Sequence, residues 1–241
     1  PVFVSYPKCD VIAVYLNHCS DNKVTIESCK LEDFIPENKR NDTYSRNWEG
    51  MNPDTRYYRG RRPYYLPVGY QSFGIKVSNF IENTCVGFHG TSLRAAKSII
   101  ETGFLLPSQL NGVRKGHIPL NECCFGINNF PDAIFVSPSI KYSSFAYSIG
   151  IIAQNDDTTF IKTSNFKLNQ ILLIILQVRV KPNSFTVNKN TTIMDVNDQH
   201  YSNDELEWRI PNPNDLFPYR LLYIGYEPEE YKRITNQMIR H

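Results

Sequence analysis

The sequence has no long apolar run and no excess of charge of one sign. The longest apolar run covers residues 171–176, far short of the ~20 residues that a membrane-spanning helix needs. Lys and Arg together number 26 against 24 Asp and Glu, so the formal net charge is only +2. Such a balance gives no broad positive field to attract DNA or anionic lipid. We therefore expect no membrane segment, and neither DNA nor a membrane as a partner.

Paired cysteine motifs are also missing. The six cysteines form no CxxC pair, which is the motif of zinc ribbons and redox sites. Cys9, Cys19 and Cys29 recur every ten residues with His18 beside them, but this spacing is unusual for metal ligands, and buried free thiols are favoured. The chain is also too long and too poor in cysteine for a disulfide-stapled scaffold. We expect no metal and a reducing compartment, the cytoplasm of the producing cell or of a host cell.

Glycine-rich phosphate loops of the GxGxxG and GxxxxGK types are absent, and the elements have no strand-helix-strand rhythm. This pattern excludes Rossmann-type dinucleotide binding and P-loop chemistry. More strands than helices are predicted, so the expected fold class is α+β. The predicted helices are 92–101 and 140–149, and the predicted strands are 2–5, 11–16, 24–27, 73–77, 84–88, 133–136, 170–180, 206–210 and 220–224.

Residues 36–62 are poor in aliphatic side chains and rich in polar residues, which is typical of a solvated loop or linker. We place a boundary here, with an N-terminal β-rich extension and linker over 1–58 and a second domain over 59–241. Arg56, Arg59, Arg61 and Arg62 are interleaved with tyrosines, a composition that can bind phosphate or stack on bases. Solvated arginines beside packed tyrosines are the favoured interpretation.

The first candidate functional residues are His89, Gly90 and Thr91, between a predicted strand and a predicted helix. Thr91 or Ser92 suits the N-cap of that helix, and Gly103 suits its end. Gly90 allows a ligand to approach the backbone closely. A histidine packed at the end of a strand is, taken alone, more often structural.

A second group of candidates follows the predicted strand 133–136. It consists of Phe135 and Ser137, with Tyr142 and Tyr147 on the next predicted helix. The two tyrosines are five residues apart and therefore lie on different faces of a helix.

The third group is an acidic pair, Glu205 and Glu207, at the predicted start of a strand. Residues at i and i+2 of a strand point to the same face, so both carboxylates are expected together, with Leu206 turned away.

Taken in this order, the three groups resemble the His-Tyr-Glu branch of the ADP-ribosyltransferase superfamily. The block Arg-Gly-Arg-Arg-Pro-Tyr-Tyr-Leu-Pro-Val-Gly-Tyr at 59–70 is followed by Phe73 and Gly74. Together with Ser-Pro-Ser-Ile at 137–140 and Glu-Trp at 207–208, it resembles CteC-type bacterial effectors and their eukaryotic relatives, which modify a threonine of ubiquitin. The resemblance covers residues 59–226. It implies two small antiparallel sheets with a few helices around an NAD+ cleft, NAD+ as co-substrate and no metal.

The resemblance also implies roles for the acidic pair and the His-Gly-Thr segment. Glu207 matches the catalytic glutamate, which bonds the ribose 2′-hydroxyl and stabilises positive charge on the anomeric carbon as nicotinamide leaves. Glu205, or Asp204 beside it, would orient or deprotonate the acceptor. His89, with Gly90 and Thr91, would hold the nicotinamide riboside, and the imidazole would donate to a ribose hydroxyl.

For the middle segment the resemblance implies cofactor binding. Tyr147, preferred on spacing, or Tyr142 would stack on the nicotinamide ring. Ser137 belongs to the same segment, and Phe135 stands where the diphtheria-toxin-like branch has a tyrosine, so that a hydroxyl contact is lost. Arg59 and Arg94 are candidates for holding the diphosphate, although a solvated position is the favoured interpretation for each.

The expected function is therefore transfer of one ADP-ribose from NAD+ to a protein acceptor, a threonine hydroxyl of ubiquitin, by a monomeric enzyme. Two alternatives stay open. Phe135 favours a domain that has lost catalysis and only binds ubiquitin or another protein. A tRNA 2′-phosphotransferase-like enzyme shares the fold, but it would need basic residues around the cleft, which the balanced charge disfavours.

Overall fold

The computed structural model describes residues 26–29, 35–77, 82–109, 132–147, 151–152, 159–161, 171–189, 191 and 197–238. The helices are α1 (Leu93–Thr102), α2 (Ile140–Tyr142), which continues as a π-helical turn over Ser143–Tyr147, and α3 (Pro228–Met238). The strands are β1 (Ile26–Cys29), β2 (Arg56–Arg59), β3 (Arg62–Tyr65), β4 (Gln71–Gly74), β5 (Cys85–Thr91), β6 (Ile134–Val136), β7 (Ile151–Ile152), β8 (Thr159–Ile161), β9 (Ile171–Val180), β10 (Thr186–Val187), β11 (Trp208–Ile210) and β12 (Leu216–Tyr226).

The larger sheet is antiparallel and has the order β4-β12-β9-β5, with β7 also paired to β9. Strand β9 is buried along nearly its whole length, as its continuous apolar run predicts. Alternate side chains enter different cores: Ile174 and Leu176 pack with helix α1, whereas Leu173 and Ile175 pack with Trp48 and Tyr64. Both faces of the sheet are therefore covered.

Helix α1 forms where its caps and apolar face predict it. The Ser92 hydroxyl accepts a hydrogen bond from the Ala95 amide at 3.2 Å, and Gly103 ends the helix with a φ of 90°. Leu93, Ala96 and Ile100 turn into the core beneath the larger sheet. The cap is thus Ser92, while Thr91 is the last residue of β5.

The smaller sheet is also antiparallel, with the order β10-β11-β6. Trp208 and Ile210 of β11 pack with Ile134 and Val136 of β6 in the same core as α1. A Cβ atom on Gly87 of β5 would lie 2.4 Å from Val136 Cγ1. Because glycine has no such atom, the two sheets approach closely at this point.

The α+β class is confirmed, and the predicted strands and helices within the described residues all overlap observed ones. Several predicted stretches lie outside the described residues: the strands 2–5 and 11–16, residues 24–25 and 170 of two further strands, and residues 148–149 of the second helix. Helix α3 was not predicted. Within the part of the chain that the structure describes, no helix has the length and apolar character needed to cross a membrane.

The prediction of a solvated linker over residues 36–62 is wrong in part. Ile35, just before it, and Trp48, inside it, are buried in the two main cores. Strands β2 and β3 form a hairpin whose two turn residues, Gly60 and Arg61, both have positive φ, as a type I′ turn requires. The predicted domain boundary between residues 58 and 59 falls inside β2.

Candidate active site

The two sheets meet at a pair of backbone hydrogen bonds between β5 and the end of β6. The Phe88 amide donates to the Ser137 carbonyl at 2.7 Å, and the Ser137 amide donates to the Phe88 carbonyl at 2.9 Å. We call this place the sheet junction. The Ser143 hydroxyl also donates to the Phe88 carbonyl at 2.8 Å, so the π-helical turn is fixed to the junction. The junction places the residues that follow β5 and β6 next to each other.

His89 follows Phe88 and is held against β6. Its Nδ1 lies 2.8 Å from the carbonyl oxygen of Phe135, and its ring packs edge to face on Phe104 at 5.2 Å. Because a carbonyl oxygen only accepts, Nδ1 carries the hydrogen, and Nε2 of a neutral ring is an acceptor. A neutral ring would accept from a ribose hydroxyl through Nε2 and a charged ring would donate to it, so the expected contact of His89 with a ribose stays a prediction.

Ser137 and Ser139 shape the start of helix α2. The Ser137 hydroxyl accepts from the Ser139 amide at 3.1 Å, and the Ser139 hydroxyl accepts from the Tyr142 amide at 3.0 Å. Ser139 also donates to Asp198 Oδ2 at 2.5 Å. These bonds fix the direction in which Tyr142 leaves the junction. Ser139 was not among the predicted site residues, but it is recognisable in the sequence as an N-cap serine three residues before Tyr142.

Tyr142 reaches the candidate catalytic glutamate. Its side chain is fully buried, in a cluster with Tyr65, Tyr201 and Leu206, and its hydroxyl donates to Glu207 Oε2 at 3.2 Å. The backbone of Tyr147 ends the π-helical turn, but its side chain lies outside the described residues, so the preference for Tyr147 stays a prediction.

Glu207 is fully buried, and both of its carboxylate oxygens accept hydrogen bonds. Tyr142 bonds Oε2, and Asn188 Nδ2 donates to Oε1 at 2.6 Å. The Asn188 amide donates to the Glu207 main-chain carbonyl at 2.8 Å, which fixes the backbone as well. Nothing in the sequence around Asn188 indicated this contact, because it depends on the pairing of β10 with β11.

Glu205 is placed differently from the prediction. Strand β11 begins at Trp208, and Glu205 lies in the turn before it, exposed to solvent. Its Oε2 accepts from the Ser202 amide at 3.0 Å and from the Ser202 hydroxyl at 2.8 Å. The expectation that both carboxylates share one face of a strand is therefore wrong, since a period of two holds only in extended backbone. Asp204 is also exposed in this turn.

Of the remaining predicted residues, three are buried near the sheet junction and one is exposed at the surface. Gly90 and Thr91 are buried at the end of β5, and Phe135 is buried on the face of β6 opposite Ile134 and Val136. Arg59 is exposed, with its guanidinium 5.9 Å from the centre of the Tyr64 ring. The side chain of Arg94 lies outside the described residues.

The β2–β3 hairpin contacts the residues just before the turn that carries Glu205. The Tyr201 hydroxyl donates to the Pro63 carbonyl at 3.1 Å, and the ring of Tyr65 stacks on His200 at 3.8 Å. Burial raises the pKa of Tyr201, so its hydroxyl keeps its proton and donates. The segment before residue 66 therefore supports the loop that leads to Glu207.

Among the described residues, no group of three or more His, Cys, Asp or Glu side chains is placed to hold a metal ion. A comparison of the sequence with models of protein families gave no match, and neither did a comparison with curated proteins.

Proposed function

We propose that this protein is an NAD+-dependent mono-ADP-ribosyltransferase that acts in the cytoplasm as a monomer. The observation that carries the proposal is the contact of Tyr142 with Glu207 beside the sheet junction that holds His89. Tyr142 and Glu207 are 65 positions apart in the chain, and the three residues belong to the three motifs on which the resemblance rests. Their convergence on one place supports a common role.

Glu207 is the proposed catalytic residue. Its carboxylate would accept a hydrogen bond from the 2′-hydroxyl of the nicotinamide ribose and stabilise positive charge on the anomeric carbon. The bond from that carbon to the nicotinamide nitrogen breaks, and its electron pair stays on nicotinamide, which leaves as a neutral molecule. An acceptor oxygen then forms the new bond to the anomeric carbon and releases its proton to a base.

The sequence favours Tyr147 for stacking on nicotinamide, but we propose Tyr142 for this role because it contacts Glu207, with Phe135 on the adjoining strand as a second aromatic wall. Because Glu207 is fully buried in the structure, a bound ribose must replace the Tyr142 hydroxyl at Oε2. The tyrosine ring would then turn toward the nicotinamide plane. Asn188 would keep Glu207 in place during this exchange, since it bonds both the side chain and the backbone.

The proposed acceptor is a protein hydroxyl, a threonine of ubiquitin, and this part rests on the motif resemblance alone. Glu205 is two residues from Glu207 and exposed, which suits contact with a protein acceptor better than contact with buried parts of NAD+. Glu205 or Asp204 is therefore proposed to orient the acceptor hydroxyl or take its proton.

Intact mass spectrometry of ubiquitin, after incubation with the protein and NAD+, tests this function. We expect one added ADP-ribose with the wild type, a loss of at least ~100-fold with Glu207→Gln, and a smaller loss with the matched variant Glu205→Gln. Full transfer by Glu207→Gln would remove the assignment of the catalytic glutamate. Transfer to other proteins of a lysate, with ubiquitin unmodified, would keep the transferase and discard ubiquitin.

A second candidate function is a binding domain without catalysis. The full burial of Glu207 and the presence of Phe135 rather than tyrosine favour it. Release of nicotinamide from NAD+ without any acceptor separates the two functions: slow release that Glu207→Gln abolishes supports the enzyme, and no release with intact binding of ubiquitin supports the binding domain.

A further inference from the structure

Arg209 is the middle residue of β11 and lies two residues after Glu207, which directly precedes the strand. Trp208 and Ile210 are buried in the core, so the alternation of the strand turns Arg209 to the opposite face. The hydrogen bond from the Asn188 amide to the Glu207 carbonyl continues the ladder by one residue, which extends the alternation to Glu207. The guanidinium and the carboxylate therefore belong to one face of the smaller sheet.

The neighbours of Arg209 across the sheet belong to the candidate site as well. Arg209 is paired with Phe135 of β6 on one side and with Thr186 of β10 on the other. Directly paired residues of antiparallel strands project from the same face. The Phe135 carbonyl is the group that holds His89. Arg209 thus lies on the central strand of the smaller sheet. One neighbouring strand, β6, carries the Phe135 carbonyl that holds His89, and the other, β10, leads to Asn188, which bonds Glu207.

The Arg209 side chain has a buried donor that is not satisfied. Its Nε is shielded from solvent and makes no hydrogen bond, and among the described residues no carboxylate lies within ion-pair distance of it. Glu207 instead takes its hydrogen bonds from Asn188 and Tyr142. A guanidinium that is partly removed from water and not neutralised by an acid is a strong binding group for an oxyanion, which it can hold through two parallel hydrogen bonds.

We propose that Arg209 binds the diphosphate of NAD+. The inference rests on the proposed function, because that function places the nicotinamide ribose at Glu207. Residues two apart on a strand are separated by about 7 Å. This separation is comparable to that between a ribose 2′-hydroxyl and the 5′-phosphate of the same nucleotide. The diphosphate is also the only anionic group of NAD+, whereas the pyridinium ring is cationic and would be repelled by a guanidinium.

Binding measurements with three probes test the assignment. NAD+ carries both the diphosphate and nicotinamide, ADP-ribose keeps the diphosphate without nicotinamide, and nicotinamide riboside has no diphosphate. For Arg209→Gln we expect affinity for NAD+ and ADP-ribose to fall about 10- to 100-fold, with affinity for nicotinamide riboside changed less than about twofold. Arg209→Lys keeps the charge but not the fork of donors and should lie between the wild type and Arg209→Gln.

The matched control is Arg233→Gln in α3, which removes the same charge at a solvent-exposed position outside the smaller sheet. Circular dichroism melting of each variant checks that it folds. Unchanged affinity of Arg209→Gln for ADP-ribose overturns the inference, and so does an equal loss for all three probes, which would indicate a structural role. If Arg209→Gln selectively loses affinity for NAD+ and ADP-ribose, but the wild type releases no nicotinamide from NAD+, the inference holds and the proposed catalysis fails.

Discussion

The hydroxyl of Tyr142 donates a hydrogen bond to Oε2 of Glu207, and both side chains are fully buried. The bond joins the helix that follows the smaller sheet's β6 to the residue that precedes β11. A tyrosine in this position does two things. It satisfies a buried carboxylate oxygen, and it places an aromatic ring directly beside that carboxylate.

The two contributions of Tyr142 can be separated by substitution. Tyr142→Phe keeps the ring, so NAD+ affinity should stay close to that of the wild type, whereas Tyr142→Ala should lower it about tenfold or more through loss of stacking and burial. Isothermal titration with NAD+ measures both. Tyr147→Ala is the companion variant: a large loss there, with none in Tyr142→Ala, would assign the stacking role to Tyr147.

Asn188 should be as important to the site as the residues predicted from the motifs. Asn188→Ala removes the 2.6 Å bond to Glu207 Oε1 and should lower the free energy of unfolding by about 1–3 kcal/mol. Asn188→Asp places a second carboxylate against Glu207, and two adjacent carboxylates favour binding of a proton. Its penalty should therefore be larger at neutral pH than at mildly acidic pH. Urea denaturation at both pH values measures this, and equal stability of Asn188→Asp and the wild type at neutral pH would contradict it.

Gly87 permits the close approach of the two sheets. A Cβ atom there would lie 2.4 Å from Val136 Cγ1 and 3.1 Å from the Ser137 carbonyl oxygen, so Gly87→Ala should destabilise the fold by about 1–3 kcal/mol. Val136→Ala removes the nearer atom. In the double variant the two effects should be less than additive, because the alanine methyl enters the space that the valine left. Strict additivity in chemical denaturation would show that the side-chain clash is not the cause.

Gln177 links a buried arginine to a buried tyrosine. Its Oε1 accepts from Arg220 Nη1 at 2.9 Å, and its Nε2 donates to the Tyr64 hydroxyl at 2.8 Å. Gln177→Met keeps the volume but leaves both partners without this bond, so the free energy of unfolding should fall by about 2–5 kcal/mol. Tyr64→Phe, which removes only one partner, should be milder. Urea denaturation of both variants measures this, and a larger loss of unfolding free energy for Tyr64→Phe than for Gln177→Met would contradict the prediction.

Buried tyrosines should make the protein sensitive to alkaline pH. Burial raises the pKa of Tyr70 from 10.0 to about 12, and burial also raises the pKa of Tyr64, Tyr219 and Tyr226. A raised pKa means that the folded state retains the proton after the unfolded chain has lost it. Stability is therefore unaffected by Tyr70 below pH 10 and falls by about 2–3 kcal/mol between pH 10 and 12. Urea denaturation as a function of pH, with tyrosinate absorbance as a second signal, measures the decrease. A flat profile over this range would be inconsistent with the burial of these hydroxyl groups.

The parts of the fold that follow from local chemistry were predictable. Helix α1 has its cap at Ser92 and its end at Gly103 because both signals act within one turn of the helix. Strand β9 could be predicted from its continuous apolar run, because a strand that is buried on both faces of its sheet needs apolar side chains at successive positions.

The parts of the fold and the site that depend on contacts between residues distant in the sequence could not be predicted. Glu205 and Glu207 are adjacent in the sequence pattern, but a turn stabilised by Ser202 separates their environments, so that one is exposed and the other buried. Asn188 reaches Glu207 only because β10 pairs with β11. The segment 36–62 has the composition of a linker, yet long-range contacts fix it to the larger sheet. Trp48 lies under the guanidinium of Arg220, and the Asn41 amide donates to the Gly74 carbonyl at 3.0 Å.

The position of Trp48 and of the β2–β3 hairpin has a practical consequence for recombinant fragments. A fragment that starts at residue 59 would cut β2 at its last residue and would remove Ile35 and Trp48 from the two cores. It would also leave Tyr65 on a strand with no partner, beneath the loop that leads to Glu207. The smallest fragment expected to fold and to keep the candidate site intact therefore begins upstream of Ile35.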